Sequence, residues 1–264
     1  MRRTVTAMLT TALISVLAWT AMAETTLEKV SRTGTLAVGT RTGSPPFGFI
    51  NRQNEWVGFS IDLARLVHRQ VEKKLGKAIR FELKETVPQT RIPLLTSGAV
   101  DLIAGTMTDT RARRESVDFS LTFFVTGAQF LVKKGSPVRG IQQIAGRRIG
   151  AQLPDQPAAF TALAQGKIDA YTNDGIQLAG LKAKAPNPAD YEIMGEFYSY
   201  EPYGMAMRKN DSDFRHVVNV TLMEAIEGGE YFRLYEKWFG PRGEVPYPLS
   251  EQARSFLLMQ VVPK

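Results

Sequence analysis

The sequence predicts an α/β protein of two lobes, and three observations support this fold class. Residues 35–105 show the order β-α-β-α-β, which is typical of a parallel sheet with covered faces. Residues 119–134 form a long, apolar, β-prone stretch that can carry the chain from one lobe to the other. Residues 149–185 then repeat a pattern of strands and helices. The 264 residues, 44% of them apolar, are enough for two such lobes.

The elements of the first lobe follow from local patterns. Residues 59–75 have apolar side chains at helical spacing, with Ser60 or Asp62 near the start and Gly76 at the end. Pro88 suits the first position of another helix. The other predicted elements are a helix at 27–34 that Gly34 stops, strands at 35–39, 79–84 and 100–105, and helix residues 91–95.

The second lobe and the C-terminal part are predicted in the same way. A single helix from Asp213 to Phe239 carries aromatic residues that we expect in the core. The remaining elements are strands at 147–151, 168–172, 191–195 and 203–208, and helices at 158–165, 175–185 and 250–259. We therefore assign residues 1–23 to a signal peptide, 24–127 to lobe 1, 128–208 to lobe 2, and 209–264 to a return to lobe 1.

The N-terminus has the features of a secretory signal peptide. Arg2 and Arg3 precede an apolar run from Thr4 to Trp19, and Ala21-Met22-Ala23 is a small-x-small cleavage site. A membrane anchor is the rival interpretation, but the run is short for a span and the cleavage site favours removal. We expect cleavage after Ala23 and an exported, periplasmic protein.

Composition excludes several classes of function. The chain has no cysteine, so it has no disulfides, thiol catalysis or thiolate metal sites. Its formal charge of +7 is scattered among acidic residues, which argues against nucleic-acid binding. His68 and His216 are each expected to be a surface or satisfied histidine. No catalytic motif, metal-ligand spacing or cofactor motif is present, so we expect neither a metal nor a cofactor.

Residues 101–120 form a candidate anion site. A strand-like piece leads into a hydroxyl-rich turn, and Asp109 or Thr110 can cap a short arginine-rich helix. Thr106 and Thr108 supply hydroxyl donors, and the planar guanidinium of Arg113 matches a carboxylate. The turn is therefore expected to bind a small anion.

Several stretches resemble the periplasmic solute-binding proteins of the polar amino-acid ABC transport class, with the glutamate/aspartate-binding proteins closest. They are V-G-T-R-T-G-S-P-P-F-G-F, G-F-S-I-D-L-A, T-R-I-P-L-L-T-S-G-A-V-D-L-I-A-G-T-M-T-D-T-R-A-R, D-F-S-L-T-F-F, G-K-I-D-A-Y-T-N-D and Y-E-K-W-F. The resemblance implies a type II periplasmic-binding-protein fold, in which two β-strand hinges join the lobes and the ligand lies between them. It also implies a monomer that delivers glutamate or aspartate to a membrane permease.

The same resemblance implies the ligand-binding residues. Arg113 corresponds to the arginine that binds the α-carboxylate, with Thr106 and Thr108 as hydroxyl and backbone donors. The arginines that receive an acidic side chain correspond to Arg41 and Arg91, and the acid that holds the ammonium group to Asp174. Asp174 can also serve as the cap of the helix that follows it, and both roles can hold together.

The second lobe departs from the family pattern. After R-R-I-G-A, only residues 152–157 precede the helix at 158–165, so one αβ unit of about 25 residues is missing. A polar position of the family, often histidine, falls near Gln156, and a family serine is replaced by Pro88. Residues 152–167 are still long enough for a parallel crossover. We predict weaker glutamate binding than in an intact relative, or none.

Three other functions are considered. The chain can be a non-catalytic remnant that has lost binding, or a dehydratase-like enzyme on the same fold, although the sequence offers no catalytic motif for one. A ligand domain of a membrane sensor is a third class. It is disfavoured because no transmembrane or signalling module follows in this sequence, which extends to Lys264.

Overall fold

The computed structural model describes residues 24–151 and 156–263. The predicted signal peptide and most of the short connection before α5 lie outside the described residues. In chain order the strands are β1 (Thr35–Thr40), β2 (Gly43–Ser44), β3 (Gly48–Ile50), β4 (Trp56–Val57), β5 (Arg80–Glu85), β6 (Leu102–Ile103), β7 (Val117–Thr126), β8 (Ala128–Lys133), β9 (Ile149–Ala151), β10 (Ala170–Asp174), β11 (Tyr191–Met194) and β12 (Glu201–Arg208).

The helices cover both sheets of the molecule. In chain order they are α1 (Thr26–Thr33), α2 (Phe59–Leu75), α3 (Arg91–Thr96), α4 (Arg111–Arg114), α5 (Gln156–Ala164), α6 (Gly175–Ala183), α7 (Ser212–Glu227), α8 (Glu230–Phe239) and α9 (Glu251–Met259). Within the described ranges, no helix is long and apolar enough to cross a membrane.

The larger lobe is built on a five-stranded sheet of order β5-β1-β6-β12-β7. Strand β1 is parallel to β5 and β6, as the β-α-β-α-β order predicts, whereas β12 runs antiparallel to β6 and β7. The apolar faces of α2, α7 and α8 cover this sheet, and the aromatic residues of α8 lie in its core, as expected. A small antiparallel sheet, β2-β3-β4, follows β1.

The smaller lobe is a four-stranded sheet of order β11-β8-β10-β9. Strand β7 ends in the larger sheet at Thr126, and β8 begins in the smaller sheet at Ala128, so the predicted crossing near Gly127 is confirmed. Helix α5 connects β9 to its parallel neighbour β10, which is the short crossover that the sequence predicts.

Three elements differ from the sequence predictions. Residues 213–239 form two helices, because Gly229 adopts φ 77° between α7 and α8. Pro88 precedes α3, whose N-cap residue is Thr90. Strand β12, which the sequence analysis placed at the end of lobe 2, is hydrogen-bonded to β6 and β7 in the larger sheet. The chain therefore returns to the larger sheet at Glu201.

Helix α6 of the smaller lobe contacts the larger lobe. Ile176 is fully buried in the core cluster that contains Phe47. Lys184, at the end of α6, forms an ion pair with Glu244 at 3.2 Å and lies 3.8 Å from the ring centroid of Phe49. The two lobes are thus closed on one another along α6.

Candidate ligand-binding site

The carboxyl ends of two neighbouring parallel strands place the first part of the site. Arg41 follows β1, and Thr106 and Thr108 follow β6, which pairs with β1 through Val38–Leu102 and Gly39–Ile103. Side chains beyond the carboxyl ends of parallel strands converge at one edge of the sheet. The sequence-predicted Arg41, Thr106 and Thr108 therefore lie at one edge.

Arg91 brings a buried positive charge to this edge from α3. Its side chain is 7% exposed, and Nη1 donates to the backbone oxygen of Thr106 at 3.0 Å. Burial, followed by the charges of Arg113 and Arg41, lowers the pKa of Arg91 to about 9. The guanidinium is still charged at neutral pH, and it is a buried charge with two other cations nearby.

Arg113 adds a third guanidinium from α4. The Thr110 side chain caps this helix by accepting from the backbone N–H of Arg113, which decides between the two predicted caps. Asp109 instead pairs with the outward-facing Arg114. The Nη1 atom of Arg113 donates to the backbone oxygen of Thr108 at 2.7 Å. Like Arg91, it has no carboxylate partner among the described side chains.

Asp174 faces these cations from the end of β10. The Oδ2 atom of this carboxylate accepts from the hydroxyl of Tyr203 and, at 2.9 Å, from Nε2 of Gln177. Burial raises the pKa of Asp174, and nearby Glu201 raises it further, whereas Tyr203, Gln177 and Arg113 oppose the shift. Asp174 occupies the N-cap position of α6, but its side chain makes no cap hydrogen bond. The predicted side-chain capping role is therefore wrong.

The structure brings the six predicted residues into one neighbourhood. Arg91 interacts electrostatically with Arg41, Arg113 and Asp174, and the two threonine carbonyls accept from Arg91 and Arg113. The hydroxyl of Thr106 is buried and has no partner in the part of the chain that the structure describes.

Sequence reasoning missed three polar residues of the site. Glu201 on β12 accepts from the hydroxyl of Thr108 at 2.6 Å, and Tyr203 and Gln177 hold Asp174. One signal was present for Gln177, which lies three residues after Asp174 on the same helix face. A buried tyrosine also needs a hydrogen-bond partner for its hydroxyl. This rule predicts a hydrogen bond for Tyr203, but it does not identify the partner.

Gln156 links the smaller lobe to this network. It is 1% exposed at the start of α5, donates through Nε2 to Oε1 of Gln177, and accepts from the hydroxyl of Ser44 at 3.4 Å. The polar position that the sequence analysis singled out is therefore part of the contact between the lobes.

Arg41 borders a cavity of about 460 Å³ between the lobes. Thr42 and Glu85 line it from the larger lobe, and Gln156 and Pro157 line it from α5. Its volume lies in the range of small-molecule sites. Of the candidate site residues, Arg41 lines this cavity.

The two histidines take no part in this site. The Nε2 atom of His68 lies 2.6 Å from the backbone oxygen of Ile79, and His216 is exposed on α7. His68 is therefore a satisfied histidine and His216 a surface one, as expected. No cluster of three or more potential metal-ligating side chains occurs among residues 24–151 and 156–263.

Comparisons with known proteins point to one family. The model of the bacterial extracellular solute-binding proteins, family 3, matches residues 36–241. The chain is 32% identical over 242 residues to the "Glutamate/aspartate import solute-binding protein" of Salmonella typhimurium, with 82% of this chain and 80% of the relative covered. It is 31% identical over 235 residues to the "ABC transporter glutamine-binding protein GlnH" of Bacillus subtilis, with 81% and 84% covered.

A solved structure supports the fold. The ancestral amino acid-binding protein AncCDT-1, described as a precursor of cyclohexadienyl dehydratase, superposes with a TM-score of 0.71 at 29% identity. The match covers 81% of this chain and 99% of that protein. The type II periplasmic-binding-protein fold that the sequence predicts is thereby confirmed.

Proposed function

Because the chain belongs to the bacterial extracellular solute-binding proteins, family 3, we propose that it binds an acidic amino acid, glutamate or aspartate, for delivery to an ABC permease. One observation carries this proposal: the guanidinium groups of Arg41, Arg91 and Arg113 are grouped opposite the carboxylate of Asp174. Glutamate offers the complementary charges, since it has two carboxylates and one ammonium group.

Each charged group of the ligand has a candidate partner. We assign the α-carboxylate to Arg113, supported by the unpartnered hydroxyl of Thr106 and by Thr108 as a backbone donor, since the Thr108 hydroxyl donates to Glu201. Arg41 and Arg91 are assigned to the side-chain carboxylate, and Asp174 to the ammonium group. Charge-assisted hydrogen bonds of this kind contribute about 1.5–3 kcal/mol each.

The repulsion within the arginine cluster supports an anionic ligand. The pKa of Arg91 is lowered by burial and by its cationic neighbours Arg113 and Arg41. The two carboxylates of glutamate would offset this repulsion in a site that water screens poorly. A neutral side chain such as that of glutamine would offset less of it.

The short second lobe is expected to weaken this binding. Helix α5 leads directly from β9 to β10, so no additional αβ unit is present to supply further donors to the α-carboxylate. The alignment to the glutamate/aspartate relative is 242 positions long. This is longer than the 82% of this 264-residue chain that takes part in the alignment. Some positions of the relative therefore have no counterpart here, which fits a deletion.

The assignment of Arg113 is testable by calorimetry on residues 24–264. Arg113→Ala should raise the Kd for glutamate at least about tenfold, because it removes a charge-assisted contact. Arg111→Ala is the matched control, since Arg111 lies exposed on the same helix. Unchanged affinity in Arg113→Ala, or an equal loss in Arg111→Ala, would refute the carboxylate assignment.

The proposal includes no catalysis. The structural neighbour that precedes a dehydratase makes an enzyme on this fold the specific alternative. Incubation of the mature chain with prephenate, followed by product analysis, separates the two functions. Turnover that Asp174→Asn abolishes would favour the enzyme.

The proposal also covers location and assembly. We place the mature chain in the periplasm as a monomer, after cleavage following Ala23. Cell fractionation with N-terminal sequencing, and size-exclusion chromatography with light scattering, test these two statements.

A further inference from the structure

Asp174 is held by a hydrogen-bonded triad that joins the two lobes. The hydroxyl of Tyr203 donates to Oδ2 of Asp174, and Nε2 of Gln177 donates both to this oxygen and to the Tyr203 hydroxyl, each at 2.9 Å. Asp174 and Gln177 belong to the smaller lobe, and Tyr203 lies on β12 of the larger sheet. The triad is therefore both a support for the carboxylate and a link between the lobes.

The triad is buried and its donors are fully used. Tyr203 is 0%, Gln177 4% and Asp174 6% exposed. The Oε1 atom of Gln177 accepts from Gln156, which fixes the orientation of the Gln177 amide. A buried network whose donors are all satisfied forms a rigid arrangement. The position of the Asp174 carboxylate is thus set before a ligand arrives.

The two carboxylate oxygens of Asp174 differ in the hydrogen bonds that they accept. Oδ2 accepts two hydrogen bonds, whereas Oδ1 accepts none from the described residues. Because Asp174 faces the arginine cluster, Oδ1 is the oxygen left for a positive group of a ligand. The groups around Asp174 are Glu201 and Tyr203 on β12, Arg113 on α4, Arg91 on α3, and Tyr198 before β12.

We propose that Tyr203 is a positioning residue, which together with Gln177 holds Asp174 so that Oδ1 receives the ammonium group of the ligand. This inference rests on the proposed binding of an amino acid. It adds that the selection of an α-amino acid over the corresponding deaminated acid depends on a tyrosine of the opposite lobe.

Two ligands separate this role from a general structural one. Glutarate has the two carboxylates of glutamate without the ammonium group. In Tyr203→Phe, the Kd for glutamate should rise about tenfold, the lower end of what one charge-assisted hydrogen bond contributes, whereas the Kd for glutarate should change less than about twofold. Damage to the fold would weaken both ligands alike.

Tyr231→Phe is the matched control. Tyr231 is also buried, and its hydroxyl donates to the backbone oxygen of Phe123 at 2.6 Å within the core of the larger lobe. This variant should leave the ratio of the two Kd values unchanged. An unchanged ratio in Tyr203→Phe, with glutamate still bound by the wild type, overturns the positioning role alone. A wild-type protein that binds neither ligand overturns the proposed function as well.

A second measurement uses the unliganded protein. A hydroxyl donates more strongly to a charged carboxylate than to a neutral one. Tyr203→Phe should therefore lose more stability near neutral pH than at acidic pH, where the Asp174 carboxyl, whose pKa burial raises, becomes protonated. This pH dependence should vanish in an Asp174→Asn background and be absent in Tyr231→Phe. An equal loss at both pH values overturns the proposed bond to the charged carboxylate.

Discussion

Arg91 is proposed to bind the ligand, and its surroundings are expected to cost the unliganded protein stability. Its guanidinium is buried beside Arg113 and Arg41, and its pKa is lowered to about 9. Placing a charge in such a setting costs free energy unless an opposite charge is present. The ligand is expected to supply that charge.

Arg91→Gln should therefore stabilise the unliganded protein by about 1 kcal/mol, because the charge is removed while an N–H donor remains for the Thr106 carbonyl. The same variant should bind glutamate more weakly. Urea unfolding and calorimetry measure the two effects, and the exposed Arg111→Gln serves as the control. A variant that loses stability, or that binds glutamate as the wild type does, would contradict this account of Arg91.

At the residue scale, part of the site was predictable from sequence. The six residues that the family resemblance indicates do converge. Glu201 and Tyr203 were missed because their partners, Thr108 and Asp174, are 93 and 29 residues away in the chain. The first contact joins two segments of the larger lobe and the second joins the two lobes, and no local pattern encodes either pairing.

At the element scale, α6 connects the candidate site to the interface between the lobes. It begins directly after Asp174, and Gly180 lies against the loop that follows β2. A Cβ atom at Gly180 would lie 2.2 Å from the backbone oxygen of Pro45, which is closer than atoms can approach. Glycine at this position allows α6 to pack closely on the larger lobe.

Gly180→Ala should push α6 away from Pro45 and move Asp174 with it. We expect a loss of about 1–3 kcal/mol in the free energy of unfolding, the usual cost of overpacking, and weaker glutamate binding. Gly140→Ala is the control, because its Cβ would meet no atom closer than 3.8 Å. Equal behaviour of the two variants in unfolding and calorimetry would show that close packing of α6 does not support the site.

Element boundaries were predictable where the chain itself encodes them. Helix α2 spans Phe59–Leu75 as predicted, since its apolar spacing and Gly76 are local signals. The break between α7 and α8 depends on Gly229 in a left-handed conformation, and glycine within an apolar helical pattern does not by itself reveal a break. The return of β12 to the larger sheet depends on pairing with β6 and β7, which are distant in sequence.

At the scale of the whole molecule, the shortened lobe leaves the closed arrangement intact. Ile176 enters the core of the larger lobe, and Lys184 pairs with Glu244 across the interface. Binding by such two-lobed proteins is coupled to closure, so each contact between the lobes contributes to ligand retention.

The absence of one αβ unit from the smaller lobe is expected to lower the affinity for glutamate. With fewer donors for the α-carboxylate, glutamate should bind with a Kd weaker than about 1 µM. Calorimetric titration of residues 24–264 measures this value. A sub-micromolar Kd would contradict the prediction that the shortened lobe weakens binding.

The central claim is that the arginine cluster opposite Asp174 selects an acidic amino acid. Glutamate and glutamine have nearly the same shape, but glutamate ends in a charged carboxylate and glutamine in a neutral amide. Arg41 and Arg91 are proposed to bind that carboxylate. Parallel calorimetric titrations of the wild-type protein should give a Kd at least about tenfold lower for glutamate, as expected for one charge-assisted contact. Equal affinity for the two ligands, tighter binding of glutamine, or no binding of either would contradict the claim.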